Sequence, residues 1–140
     1  MQPYRNWTAA MIEAIFPKDK QANYEAYGYS AAIRSGGFLF ISGQVGVDDA
    51  GEALADPAKQ FARAFDNLGK VLEAAGLDFS RIVDITSFHV DMYDHFDCFA
   101  AAKQKVFPAP PYPNWTAVGV VNLADPALLL EIKATARLFE

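Results

Sequence analysis

An α+β domain, a mixed β-sheet with two helices packed on one face, is the fold class that this sequence predicts, and three observations carry the prediction. Residues 128–138 alternate cleanly, with Leu128, Leu130, Ile132, Ala134, Ala136 and Leu138 on one face and Leu129, Glu131, Lys133, Thr135 and Arg137 on the other. Phe61, Phe65, Leu68, Leu72 and Ala75 recur instead at helical spacing. The elements then follow in the order hairpin, helix, strand, helix, strand, strand, which makes one sheet with two helices.

Taken in order, Thr8 caps a short predicted helix through Phe16, with Ile12, Ile15 and Phe16 on one side and Pro17 as its stop. Residues 1–27 are read as an extension and 28–140 as the domain proper. After a polar stretch, Tyr29–Arg34 and Phe38–Ser42 flank Ser-Gly-Gly, the signature of a hairpin. The run FLFIS is so apolar that a central strand covered on both faces is expected. Gly43 and Gly46 bracket Gln44, marking a bulge or a close backbone approach, with a simple sheet bend the commoner cause.

Asp56 and Pro57 supply a cap and a first-turn proline for the main helix, which Gly76 ends. The β-branched and aromatic run Ile82–Val90 is a strand that, following a helix, suggests a βαβ unit. It carries His89 two residues from Ser87; a lone strand histidine is more often hydrogen-bonded structure than a catalyst, and no second ligand stands at metal spacing, so no metal is expected. A second helix is predicted from Asp94 to Phe107, its stripe of Phe96, Phe99, Ala100, Val106 and Phe107 interrupted by Lys103. The proline-rich lead-in PAPPYP then delivers the strand NWTAVGV, and a short polar connection delivers the alternating last strand.

With 140 residues the chain makes one domain. A net charge of −5 and the lack of any Lys/Arg cluster argue against nucleic acid as a partner, because affinity for phosphate backbones needs several cations along one groove. At 52% apolar residues, surplus apolar surface points to a homo-oligomer. Cys98 is the lone cysteine, and no apolar run reaches signal-sequence or membrane-span length, so a reducing, cytoplasmic setting without membrane is expected. Glu131, on the polar side of the last strand, is either a solvated strand residue or a carboxylate in a groove completed by another subunit.

The runs YSAAIRSGGFLFISGQVGV, FARAFDNLGKVLEAAG, IVDITSFHVDM, TAVGV and LLLEIKATA, in this order and spacing, resemble the RidA (YjgF, or L-PSP) family over roughly residues 28–138, with YSAAIRSG, DITSFH and PPYPNWTAVGV most similar to its YjgH branch. The resemblance implies a chorismate-mutase-like fold, a homotrimer with a central β-barrel, and small-molecule clefts between subunits. It further implies hydrolysis of enamine and imine intermediates to a carbonyl compound and ammonia, without cofactor or metal. Tyr29 and Glu131 stand at the family's tyrosine and glutamate positions and are the candidate catalytic pair. The position of the carboxylate-holding arginine is Trp115, and Ala100 and Ala117 replace an asparagine and a cysteine seen in other members.

The expected ligand is therefore neutral or aromatic and not a small anion, since an indole offers one N–H and a π face. Asn114, Trp115 and Thr116, with Gly43 and Gln44, are the candidate binding residues, and Lys133 or Arg137 is the candidate replacement cation. The alternative is a non-catalytic trimer that binds a metabolite or a protein in the same cleft. Endoribonuclease activity is a third reading, weakened by the acidic charge.

Overall fold

The computed structural model describes residues 12–139. Its elements run β1 (Ile12–Ile15), α1 (Gln21–Ala26), β2 (Ala32–Ser35), β3 (Phe38–Val45), α2 (Pro57–Ala74), β4 (Ile82–His89), α3 (Met92–Val106), β5 (Asn114–Gly119) and β6 (Leu130–Arg137). The strands form one mixed sheet in the order β1-β2-β3-β6-β4-β5. Only β4 and β5 are parallel neighbours; the other pairs are antiparallel.

The last strand thus enters the middle of the sheet. The expected βαβ unit is split: β3 and β4 are parallel and joined by α2 with β6 between them, and the crossover between adjacent strands is β4-α3-β5. The alternation in β6 is resolved as predicted. Leu130, Ile132, Ala134 and Ala136 are buried against the helices, together with Phe61, Phe65, Leu68 and Leu72 of α2 and Phe99 of α3.

Asp56 caps α2 by accepting from the Lys59 amide at 3.0 Å, and Gly76 follows its end with φ +74°. On its sheet side α2 carries two buried or half-buried amides whose role is to terminate loops. Gln60 Nε2 donates to the carbonyls of Leu54 (2.9 Å) and Ala127 (3.0 Å), while its Oε1 accepts from Leu129 N at 2.7 Å. Asn67 Nδ2 donates to the carbonyls of Val45 and Val47 at 2.8 and 3.0 Å. Gly46 lies where a Cβ would overlap the backbone carbonyl of Gln60, so β3 and α2 touch main chain to main chain.

Four sequence expectations change. The predicted helix from Thr8 begins outside the described residues, and its remainder, Ile12–Ile15, is an edge strand, because Ile15 pairs with Ala32 and the backbone groups find partners on β2. The polar stretch after Pro17 contains the short helix α1. The second long helix starts at Met92 and not at Asp94, with Asp91 in left-handed conformation (φ 53°) turning the chain into it. β3 is central, as FLFIS implies, but within one chain it is covered on one face only: Leu39 and Ile41 are buried, whereas Phe38 and Phe40 are 43% and 46% exposed.

Candidate functional site

Residues directly across a ladder share a face, so the registers sort the candidate residues into two groups. Glu131 lies opposite Val45 on β3 and Phe88 on β4, and Phe88 lies opposite Val118 on β5. This row is on the open face, away from the helices. Thr116 joins the row of Thr86 and Lys133 on that face, and Asn114 joins Asp84 and Thr135, with Asn114 Nδ2 bonded to Asp84 Oδ1 at 2.8 Å. Trp115, in contrast, pairs with buried Ile85 and faces α3. Within one chain, Glu131 and Trp115 therefore occupy opposite faces of the sheet.

Around Glu131 the sequence folds so as to make room for a carboxyl. The β3–β6 register shifts between Ile41 and Gln44, so the Gly43–Gln44 step is both a bulge and a close approach. A Cβ on Gly43 would overlap the Glu131 carboxylate. The side chain is half-buried, and burial pushes its pKa above the ordinary carboxyl value, with no cation at ion-pair distance among the described residues. Such a group sits closer to proton exchange at working pH than a solvated glutamate does.

Tyr29 approaches from the loop between α1 and β2. It is 48% exposed, meets Tyr24 edge to face at 5.0 Å, and has its phenol pKa raised by partial burial and by the charges of Tyr24, Glu131 and Tyr27. It is thus a hydroxyl donor at neutral pH. Gln44 lies on the helix side, buried, its Nε2 donating to Tyr24 Oη (3.1 Å) and Ser42 O (3.2 Å). Tyr24, Tyr29, Gly43, Gln44, Arg63 and Asn67 help line a cavity of about 250 Å³ between α1, β3 and α2. Its cations are engaged: Arg63 lies 3.0 Å, Lys70 3.9 Å and Lys20 4.0 Å from Asp49 Oδ1.

On the reverse of the sheet, Trp115 Nε1 donates to Ser87 Oγ at 2.9 Å, and Ser87 Oγ lies 2.7 Å from His89 Nε2. Ser87 and His89 are both buried. The serine oxygen thus accepts from the indole N–H and shares a hydrogen bond with the imidazole. Burial lowers the His89 pKa. The structural reading of His89 is the one the geometry fits.

Phe96 stacks on Trp115 at 5.9 Å and 16°, Phe99 lies at 6.0 Å, and Lys103 Nζ sits 4.4 Å from the indole centroid. Sequence reasoning looked for the cation on β6. Lys133 and Arg137 belong to the open face with Glu131, so neither stands beside Trp115, and Lys103 does. The signal for it was the break that Lys103 makes in the apolar stripe of α3. Among the described residues no group of three or more His, Cys, Asp or Glu side chains could hold a metal ion, and no helix is long and apolar enough to cross a membrane.

Fold and site together define a class of protein: a one-sheet α+β domain with a desolvated carboxyl in a recess cut by a glycine, and an aromatic–cation cluster on the sheet's other side. The chain belongs to the RidA/YjgF family, whose model, described as Endoribonuclease L-PSP, matches residues 20–138. It is 49% identical over 132 residues to the RutC family protein YjgH of Escherichia coli, covering 93% of this chain and 99% of that one. A solved structure of protein YjgH superposes with a TM-score of 0.86 over 93% of this chain and 98% of its own. More distant relatives include the 2-iminobutanoate/2-iminopropanoate deaminase of Bos taurus, 37% identical over 58% of this chain and 63% of that protein. The structure of Escherichia coli TdcF with bound serine matches with a TM-score of 0.72 at 29% identity, covering 78% of this chain and 87% of that one.

Proposed function

We propose that this protein hydrolyses small imines or enamines in a cleft formed between copies of the chain, with Glu131 as the proton-transferring group and Tyr29 as the hydrogen-bonding wall. The observation that carries this reading is the Glu131 carboxyl, half-buried in space left by Gly43 and without an ion-pair partner among the described residues. The deaminase relatives supply the reaction class.

In the step envisaged, Glu131 takes a proton from water as the water oxygen adds to the C=N carbon, and passes that proton to the imine nitrogen. The resulting carbinolamine collapses when Glu131 takes the hydroxyl proton and delivers it to the amine nitrogen, so that the C–N bond breaks, ammonia leaves and the C–O bond becomes the carbonyl. Water and imine are consumed, and carbonyl compound and ammonia are formed. No external oxidant or metal enters this balance.

A cleft between copies is argued from the faces. Glu131 and Trp115 can serve one ligand only if they come from different chains, and the open face offers Phe38, Phe40 and Val118 as apolar surface for a second sheet. A homotrimer with the open faces inside is the assembly proposed. The substrate part that meets Trp115 would be flat and apolar, and Asn114 and Thr116 belong to the open-face lining.

The test is ammonia release from a panel of imines generated in place by amino-acid and amine oxidases, measured against the uncatalysed rate and against Glu131→Gln. Acceleration that disappears in the variant supports the reading; equal rates in both defeat it. A binding module without turnover is the second reading, favoured by one observation: the indole is fixed in place by Ser87 and Phe96. Ligand binding with no ammonia release from any imine would select it. RNA cleavage has the net charge of −5 against it.

A further inference from the structure

We propose that the cavity between α1, β3 and α2 binds a small aromatic phosphate monoester, with Lys20, Arg63 and Lys70 holding the phosphate and tyrosines of the same cavity packing on the ring. The inference goes beyond the hydrolase reading and needs no turnover at Glu131. Three cations from separate segments line this cavity and converge on one carboxylate oxygen. Arg63 Nη2 lies 3.0 Å from Asp49 Oδ1, whereas Lys70 Nζ and Lys20 Nζ stop at 3.9 and 4.0 Å. The carboxylate therefore satisfies the guanidinium and leaves both ammonium groups beyond hydrogen-bond range of it; Lys20 is kept at the cluster by donating to the Asp49 main-chain carbonyl at 3.2 Å. Asp48, the other acid in the lining, spends its Oδ1 on the amides of Ala50 and Glu52, each at 2.9 Å. A phosphate dianion offers three terminal oxygens and can give each cation an oxygen of its own, which one carboxylate cannot.

The site is built around a fixed guanidinium and a removable acid. Arg63 Nε donates to Asn67 Oδ1 at 3.2 Å, and Asn67 is itself anchored on the carbonyls of Val45 and Val47. The Arg63 side chain is 24% exposed and that of Asp49 80%. Asp48 braces the turn, with Gly51 at φ +84°, so Asp49 can swing into solvent by rotation of its own side chain while the loop stays in place. Exposed ion pairs are individually weak and screened by salt, so an incoming dianion displaces this carboxylate at small cost. Tyr24, Tyr27 and Tyr29 line the same cavity, Tyr24 and Tyr29 meeting edge to face at 5.0 Å, and supply ring surface for a flat group carried by the phosphate. One cluster fits one phosphate and not a nucleic-acid backbone, which needs cations repeated along a groove.

The experiment is calorimetric titration at neutral pH and low salt with phenyl phosphate, and with benzoate and inorganic phosphate as controls, on the parent protein and on Arg63→Met, Lys70→Met and Asp49→Asn. The parent should bind phenyl phosphate about tenfold or more tightly than either control. Arg63→Met and Lys70→Met should each weaken that binding about tenfold, and Asp49→Asn, which removes the competing charge, should tighten it about three- to tenfold. A merely structural cluster predicts the opposite sign for Asp49→Asn, because three cations left without their carboxylate repel one another and loosen the cavity wall. Circular dichroism and a thermal melt confirm that each variant is folded, and Lys70→Met, at a half-exposed position, keeps the test decisive should Arg63→Met unfold. No saturable binding of phenyl phosphate by the parent, either control bound as tightly, an affinity unaltered in folded Lys70→Met, or Asp49→Asn binding no more tightly than the parent would overturn the inference. If binding follows the expected pattern yet no imine in the panel releases ammonia faster than the uncatalysed rate, the phosphate site stands and the hydrolase reading falls.

Discussion

At the scale of single residues, Glu131 and Gly43 should be separable by experiment. Glu131→Gln keeps shape and removes the proton-transfer group, so imine turnover should fall about a hundredfold or more with assembly unchanged. The same variant reports on burial. Because the folded carboxyl titrates above its ordinary value of 4.5, the parent binds more protons folded than unfolded in that window and loses stability as pH rises through it. Glu131→Gln should therefore melt higher than the parent at neutral pH, and the advantage should vanish as pH falls toward 4.5. Gly43→Ala puts a methyl where the carboxylate sits and should cost roughly ten- to a hundredfold in turnover by displacing it, read as kcat with a melt alongside.

At the scale of elements, two predictions concern how α2 and β4 are tied to their neighbours. Gln60→Leu is close in volume but leaves Leu129 N and the carbonyls of Leu54 and Ala127 without their partner, and should destabilise by about 2–4 kcal/mol in urea unfolding. Beside its ladder to β5, β4 is tied to it through the Trp115–Ser87–His89 chain, and burial of His89 favours its neutral form. With its folded pKa below 6.5, His89 contributes stability that is present above that pH and is lost as pH falls below it toward the folded value. Unfolding midpoints between pH 7.5 and 5 should decline in the parent more steeply than in His89→Asn.

At the scale of the whole molecule, one sheet face is covered by α2 and α3 and the other bears Phe38, Phe40 and Val118 beside Glu131 and Lys133. Sedimentation should give three times the mass of the 15.3 kDa chain at micromolar concentration. Phe40→Asp, placing a charge in that face, should shift the mass toward the monomer and remove turnover with it. A parent that sediments as a monomer would rule out the cleft between copies.

The sequence by itself determined the parts of this protein that depend on local periodicity and punctuation. The alternation of β6, the Asp56–Pro57 start of α2 and the Ser-Gly-Gly hairpin were legible because each is set within a few residues of chain. Glu131 and Tyr29 were legible only as candidates, through runs that resemble a family. Placement in space was another matter. That β6 inserts between β3 and β4, that residues 12–15 pair as a strand, and that Gln60 closes two loops depend on contacts between segments far apart in sequence. Only tertiary structure could show that Trp115 turns toward α3 while Glu131 turns away from it, and that the cation beside the indole is Lys103 and not a residue of β6. The physical reason is that a strand's alternation says which residues share a face, whereas the face on which a helix then packs is decided by the sheet's order and the burial it permits.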